Sequence, residues 1–328
     1  MNQSPDPNLK IASLLPSATE IVCLLGGGPN LVAVSHECDW PSEAVGKPIL
    51  TSSKVSFSLS SLGIDQDVRR ILEHALGVYD IDTEALVATS PDVIVTQDLC
   101  DVCAVSYSDV ERAARELLSP AVKLVNLRPT RLAEVLDGLL QAGSVLGVDE
   151  RAKFERARLQ ARLDAISARA NKLDSRPTVL TIEWIDPVMI GGTWMPELVE
   201  LAGGIPLVTK AGDHAPTLNN KELRELAPDV VLIKPCGFKI ERTAQEADAL
   251  CELIASMPWP AARDERVFVA DGNAFFNRPG PRLVESLEIL AACVHPEEFA
   301  DFAKKHAGNY IPLKNLKSTG PGVPMSEI

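Results

Sequence analysis

Short runs of aliphatic residues alternate along the chain with longer segments of helical periodicity. We predict strands at Lys10–Leu15, Leu31–Ser35, Val93–Thr96, Val122–Leu127, Thr178–Glu183, Val230–Ile233 and Arg266–Ala270. Helical patterns lie between them, near Asp65–Leu76, Ser108–Leu118, Thr243–Ser256 and Pro281–Val294. Uninterrupted aliphatic runs suit strands that are buried on both faces of a parallel sheet. Strands that alternate with helices therefore predict an α/β fold with parallel sheets.

Two pairs of similar segments indicate that the chain contains an internal repeat. Glu20–Gly27 (EIVCLLGG) matches Glu197–Gly204 (ELVELAGG), and Ser90–Thr96 (SPDVIVT) matches Ala227–Ile233 (APDVVLI). Both segments of the first pair predict a short helix that ends at glycines, and both segments of the second pair predict a buried strand. Ser17–Glu20 has the pattern of a capping box. We infer two related α/β lobes.

The segment between the repeats, Arg131–Leu173, has no strand pattern and predicts helix that breaks only at Gly143 and Gly147 and resumes at Asp149. A helix of that length can link two lobes. We therefore divide the chain into an N-terminal lobe at 9–130, a linking helix at 131–175, a C-terminal lobe at 176–311 and a flexible tail at 312–328.

Charge and composition exclude several classes of function. The chain has 32 basic and 45 acidic residues, a net charge of −13, and shows no basic patch, so we expect no nucleic-acid partner. No apolar run is long enough for a membrane helix, which argues against an integral membrane protein. The first residues, Met1–Asn8, lack the pattern of a secretory signal, and seven cysteines suit a reducing compartment. These features predict a cytoplasmic protein.

Polar and aromatic residues follow the predicted strands, where open α/β sheets bind their ligands. Aromatic rings there can stack on a flat ligand, and cationic side chains can meet its negative groups. If the two lobes face each other, these loops line a single cleft. The candidate ligand-binding residues are His36, Glu37, Trp40, Gln97, Glu183, Trp184, Lys234, Phe238, Asn273 and Arg278.

Four cysteines, Cys38, Cys100, Cys103 and Cys236, lie in the same loops. Thiolates of this kind bind metal ions or iron–sulfur clusters, and His36 is close to them in sequence. Cysteine is also among the most buried residue types, so packing of these thiols is the interpretation that we favour over a metal or cluster site. A thiol- or metal-dependent enzyme that uses these cysteines is the alternative function.

Glu20 and Glu197 occupy equivalent repeat positions near the starts of their helices. A carboxylate is favoured there by the helix dipole alone. Alternatively, both carboxylates point outward and engage basic residues of a partner.

Seven motifs, which occur in the same order, resemble those of the cobalamin-binding-protein-like branch of ABC-transporter substrate-binding proteins. They are LLPSATEIVCLLG, VSHECDWP, TQDLCDVCAVS, EWIDP, MPELVELAGG, KPCGF and FNRPGPRL, within about residues 9 to 300. The resemblance implies the class III periplasmic-binding-protein fold of the iron-siderophore and vitamin B12 binders, in which a long helix joins two Rossmann-like lobes and the ligand lies between them. In that family a glutamate on each lobe docks onto the membrane permease, and these positions match Glu20 and Glu197.

From the residues and this resemblance we expect a non-catalytic binding protein. Its ligand would be a corrinoid such as cobalamin, or a metal chelate, with an iron–sulfur cluster or a metal ion at the cysteines as the alternative. An ABC permease complex would be its partner if the docking glutamates still serve that role.

Overall fold

The fold was analysed in a computed structural model, which describes residues 3–73, 78–97 and 106–319. The strands of this part are β1 (Ile11–Ser13), β2 (Leu31–Val34), β3 (Thr51–Ser53), β4 (Tyr79–Ile81), β5 (Val93–Gln97), β6 (Lys123–Leu127), β7 (Thr178–Trp184), β8 (Met189–Ile190), β9 (Ile205–Pro206), β10 (Val230–Ile233), β11 (Val267–Ala270) and β12 (Tyr310–Pro312). The helices are α1 (Pro16–Leu24), α2 (Ser61–Glu73), α3 (Thr83–Thr89), α4 (Tyr107–Leu117), α5 (Leu132–Leu146), α6 (Asp149–Ala170), α7 (Met195–Leu201), α8 (Asn220–Arg224), α9 (Ile240–Ala244), α10 (Ala247–Ala255), α11 (Pro260–Arg263), α12 (Leu283–Val294) and α13 (Ala300–Lys305).

The chain divides into two compact units, and the division falls within α6. The N-terminal unit comprises Met1–Leu59, Gly63–Gln160 and Pro279–Pro281. The C-terminal unit comprises Ser60–Leu62, Ala161–Arg278 and Arg282–Ile328. Each unit has its own sheet and its own buried core.

The N-terminal unit is built on a parallel sheet with the strand order β2-β1-β5-β6. Every residue of β1 and β5 is buried, as expected for strands covered by helices on both faces. A separate antiparallel pair, β3 and β4, pairs Thr51 with Ile81 and Ser53 with Tyr79. These two strands are too short to carry a recognisable pattern, and we did not predict them from the sequence.

The C-terminal unit has a mixed sheet with the order β12-β11-β10-β7-β8, and β9 also pairs with β7. Strands β7, β10 and β11 are parallel, as predicted, whereas β8 and β12 run antiparallel to their neighbours. The four residues between β7 and β8 are too few for a crossover helix, so the chain can only return antiparallel. Our expectation of wholly parallel sheets was wrong at these two strands, while the α/β fold class is confirmed.

The seven predicted strands are confirmed, and the helices differ in detail. The predicted break at Gly147 is confirmed, because Gly147 adopts the left-handed conformation (φ +72°) and terminates α5, and α6 begins at Asp149 as expected. The break predicted at Gly143 is wrong, since Gly143 lies inside α5. The predicted capping box at Ser17 is wrong. Leu15 is the N-cap of α1 and Pro16 takes the first helical position, so Ser17 lies inside the helix.

Among the described residues, no helix is long and apolar enough to cross a membrane.

Candidate functional site

In the N-terminal unit, the loop after β2 holds His36 in a fixed orientation. The His36 Nδ1 atom lies 2.7 Å from the Thr51 hydroxyl, and the His36 backbone N–H also donates to that hydroxyl, at 3.1 Å. Thr51 in turn donates to the Ser35 hydroxyl at 2.9 Å. The Tyr79 ring packs against the imidazole at a centroid distance of 5.3 Å. Burial lowers the pKa of His36 below its usual value, which favours a neutral ring.

Sequence reasoning missed Thr51 and Tyr79 because both belong to the unpredicted β3–β4 pair. Each is less than 10% exposed, and the antiparallel pairing brings the two strands to the imidazole from positions distant in sequence. The Tyr79 hydroxyl also donates to Glu37 Oε1 at 3.1 Å. The β3–β4 pair thus supports two predicted site residues, His36 and Glu37.

The other predicted residues of this unit differ in exposure. Trp40 is 45% exposed, so its ring offers surface to a ligand, whereas Gln97 is 3% exposed at the end of β5. The Cys38 thiol is buried and lies 3.1 Å from the Thr19 hydroxyl, which contacts the Ser13 hydroxyl at 2.8 Å.

Two of the four candidate metal ligands, Cys100 and Cys103, lie outside the described residues. Within the described ranges, no group of three or more His, Cys, Asp or Glu side chains is placed to hold a metal ion. Neither Cys38 nor Cys236 therefore belongs to such a group there.

In the C-terminal unit, Lys234 at the end of β10 is fully buried. Its Nζ atom donates to Glu183 Oε2 at 2.8 Å and to Asn277 Oδ1 at 2.7 Å. The Asn277 amide donates back to the carbonyls of Lys234 and Gly272, each at 3.0 Å. A buried charge is tolerated only when it is paired in this way. We expected Lys234 to meet a negative group of the ligand, and the structure places its ammonium between Glu183 near the end of β7 and Asn277 in the loop after β11.

An aromatic and cationic stack lies beside this ion pair. Trp184 and Phe238 meet at a centroid distance of 5.2 Å with their planes tilted by 57°, and the Arg242 guanidinium lies 4.1 Å from the Phe238 ring centre. Arg242 is held by Glu246 at 3.0 Å. Phe238 is 1% exposed, so it supports the stack from below, whereas Trp184 is half-buried and donates its indole N–H to the Ser61 carbonyl at 3.2 Å.

The loop after β11 places two more predicted residues together. Arg278, which is 8% exposed, donates to Asn273 Oδ1 at 2.9 Å. The Asp271 carboxylate accepts the backbone N–H groups of Asn273 and Ala274. Burial raises the pKa of Asp271 despite these two hydrogen bonds. Cys236 is exposed in the neighbouring loop.

The two glutamates of the repeat have different environments. Glu20 lies beyond the first turn of α1 and is 2% exposed. Gly280 lies close to its carboxylate, since a Cβ added to this glycine would be 3.4 Å from Glu20 Oε2. Glu197 lies in the first turn of α7 and is partly exposed. The alternative in which both carboxylates point outward does not describe Glu20, which is buried.

Comparisons with known proteins agree with this architecture. Residues 11–274 match the sequence profile of the periplasmic binding protein family. The chain is 22% identical over 300 residues to an uncharacterised ABC transporter substrate-binding lipoprotein, YvrC, of Bacillus subtilis, covering 89% of this chain and 82% of the relative. It is 20% identical over 283 residues to the vitamin B12-binding protein of Photorhabdus laumondii, covering 86% of each chain.

Among solved structures, a possible iron-binding, periplasmic solute-binding protein of Staphylococcus epidermidis superposes with a TM-score of 0.66 at 19% identity. The match covers 88% of this chain and all of that one, and at this identity it shows the fold. The family consists of non-enzymatic binding components, in agreement with our expectation that the chain is not an enzyme. With two α/β units and a profile match over most of its length, the chain belongs to the periplasmic binding protein family.

Proposed function

We propose that this protein binds a corrinoid or a similar planar metal complex at the carboxyl ends of its sheet strands. The observation that carries the proposal is the stack of Trp184 and Phe238 under Arg242. The indole of Trp184 is partly exposed and is held by its contact with Phe238. It therefore offers a flat apolar surface to a ligand at little cost in conformational entropy.

The polar groups beside the stack suit a ligand rich in amide or carboxylate groups. Glu183 retains 24% exposure of its side chain beside the buried Lys234, and the Asn273 amide is partly exposed next to Arg278. A few oriented polar groups around an apolar surface are typical of small-molecule sites. The curated relatives named as vitamin B12-binding proteins support a corrinoid, and the structural relative named as iron-binding supports a metal chelate.

The experiment is a calorimetric titration of the purified protein with cyanocobalamin, ferric heme and a ferric siderophore. We expect the corrinoid to bind, and Trp184→Ala to weaken its affinity by about tenfold, or about 1.4 kcal/mol. Phe154→Ala is the matched control, because this aromatic side chain is 50% exposed on α6, away from the strand ends. Absence of heat with all three compounds at high protein concentration would refute the proposal.

We further propose that Glu197, rather than Glu20, contacts an ABC permease complex, since Glu197 is partly exposed whereas Glu20 is 2% exposed. Glu197→Lys should abolish capture of that complex, whereas capture unchanged by this variant would refute the assignment. A cytoplasmic location is proposed on the strength of the seven cysteines. Fractionation of cells that express the native gene tests it, and recovery of the protein outside the cytoplasm would overturn it.

A further inference from the structure

Five residues of the C-terminal unit form a closed ring of contacts that includes the stack of Trp184 and Phe238. The Trp184 indole N–H donates to the carbonyl of Ser61, which belongs to the same unit, at 3.2 Å. Ser61 donates its backbone N–H to Glu246 Oε1 at 2.9 Å and its hydroxyl to Glu246 Oε2. Glu246 binds Arg242 at 3.0 Å, and Arg242 lies over the Phe238 ring. The ring of contacts closes where Phe238 meets Trp184.

Glu246 is the member of this ring that binds its two neighbours through a charge. Its carboxylate accepts two hydrogen bonds from Ser61 and forms an ion pair with Arg242. The side chains of Arg242 and Glu246 are 17% and 13% exposed, so water and salt screen their charges only weakly. Hydrogen bonds to an ionised carboxylate are also stronger than those between neutral groups. Glu246 therefore fixes both Ser61, which holds Trp184, and Arg242, which covers Phe238.

The hydrogen bond to Ser61 decides which surface Trp184 offers to a ligand. The indole N–H is the only polar group of a tryptophan side chain, and here it is already used. The part of the ring that stays exposed can therefore contact a ligand only through its carbon and π surface. Because the orientation of the ring is fixed before a ligand arrives, little rotamer freedom is lost on binding.

We infer that Glu246 is a positioning residue of the proposed ligand site and acts through Ser61 on the indole of Trp184. This inference rests on the proposed function and narrows it, since Trp184 recognises the ligand by stacking on a flat apolar ring face and not by a hydrogen bond. A ligand that offers only hydrogen-bond acceptors finds no donor on this side chain. Glu246 itself does not need to touch the ligand.

The first measurement uses the full chain without ligand and reads the indole N–H signals by proton–nitrogen NMR. The chain has four tryptophans, and Trp184→Phe assigns the signal of Trp184 by its loss. We expect Glu246→Ala to shift this signal and to speed the exchange of this proton with water, because Ser61 is released. The signals of Trp194 and Trp259, whose indole N–H groups donate to other backbone carbonyls, should stay in place.

The second measurement is a double-mutant cycle with calorimetric titration of cyanocobalamin. We expect Glu246→Ala and Trp184→Ala each to weaken binding about tenfold, and the double variant to bind as weakly as Trp184→Ala alone. A carboxylate that acted independently of Trp184 would instead give losses that add.

Glu241→Ala is the matched control, because Glu241 is an exposed glutamate on α9 and should change neither the NMR signal of Trp184 nor the affinity. Circular dichroism checks that each variant is folded. If Glu246→Ala does not fold, Ser61→Ala takes its place in both measurements, since it removes only the hydroxyl hydrogen bond to Glu246 and should act in the same direction.

The outcomes separate this inference from the proposed function. A shifted Trp184 signal together with losses of affinity that do not add supports both. A Trp184 signal that does not move in the variant, or losses that add in the double variant, would overturn the positioning role of Glu246 and leave the proposed function standing. If the wild-type protein binds neither cyanocobalamin nor ferric heme nor a ferric siderophore, the proposed function is refuted and the inference falls with it, whatever the NMR signal shows.

Discussion

At the scale of single residues, Lys234 shows how burial changes the role of a charged side chain. Its ammonium binds Glu183 near the end of β7 and Asn277 in the loop after β11, and thereby connects the ends of neighbouring strands. Gly272 packs so closely on the Pro235 carbonyl that any Cβ would collide with it, so the same loops are also tightly packed through their backbones. The residue acts on the candidate site by positioning it.

We predict that Lys234→Met lowers the free energy of unfolding by about 3 kcal/mol, because Glu183 loses its charge partner in a partly buried environment. Urea denaturation measures this change. Lys153→Met is the control, since Lys153 forms a solvent-exposed pair with Glu150 and its loss should leave the free energy of unfolding nearly unchanged. An equal loss of unfolding free energy in the two variants would contradict the positioning role of Lys234.

At the scale of secondary-structure elements, Glu288 on α12 connects three helices of the C-terminal unit. Its carboxylate contacts Arg162 of α6 at 2.8 Å, Lys305 of α13 at 2.6 Å and His306 at 2.7 Å. Burial alone would raise the pKa of Glu288, but the hydrogen bonds from His306, Lys305 and Arg162 outweigh it and lower the pKa to about 2.

A pKa that is lower in the folded state than in the unfolded state stabilises the fold at neutral pH. This contribution is complete above the unfolded pKa of about 4.3 and is lost as the pH falls toward 2. We therefore predict that the free energy of unfolding of the wild-type protein falls as the pH is lowered through this range. In Glu288→Gln the slope of this free energy against pH should be smaller by up to about 1.4 kcal/mol per pH unit. Urea denaturation at a series of pH values measures both slopes. Equal slopes of unfolding free energy against pH in the wild-type protein and in Glu288→Gln would contradict the prediction.

At the scale of the whole molecule, the net charge of −13 governs interactions over long distances. We predict no binding to duplex DNA or RNA at about 0.15 M salt, because phosphate binding depends on local positive charge and counterion release. Fluorescence anisotropy with labelled duplexes tests this expectation. Binding that weakens steeply with salt would reveal a basic surface that the sequence pattern does not show.

Most of the backbone architecture was predictable because the hydrophobic pattern is local. The seven predicted strands and the two α/β units follow from runs of aliphatic residues and from the repeat. Strands β8, β9 and β12 were not predictable, since they contain only two or three residues each. Their pairing depends on neighbours that are distant in sequence.

The candidate site likewise contains residues that the sequence predicts and partner residues that it does not. Strand-end position alone singled out His36, Trp184 and Asn273, because ligand sites of α/β sheets lie at those ends. The partners that define their chemistry were missed. Thr51 reaches His36 through a strand pair without a sequence pattern, and Arg242, which covers Phe238, lies one residue before the predicted helix start at Thr243.

Local sequence patterns are enough to predict the fold class, the family and the loops that carry the chemistry, since each depends on residues within short segments. The folded structure was needed to show that Lys234 and Glu20 are buried, that Glu197 is partly exposed, and that the Nε2 atom of His36 is buried without a hydrogen-bond partner among the described residues. Burial and hydrogen-bond partnership are properties of contacts between distant segments. Two glutamates at equivalent positions of a repeat therefore differ in their surroundings although their local sequences are alike.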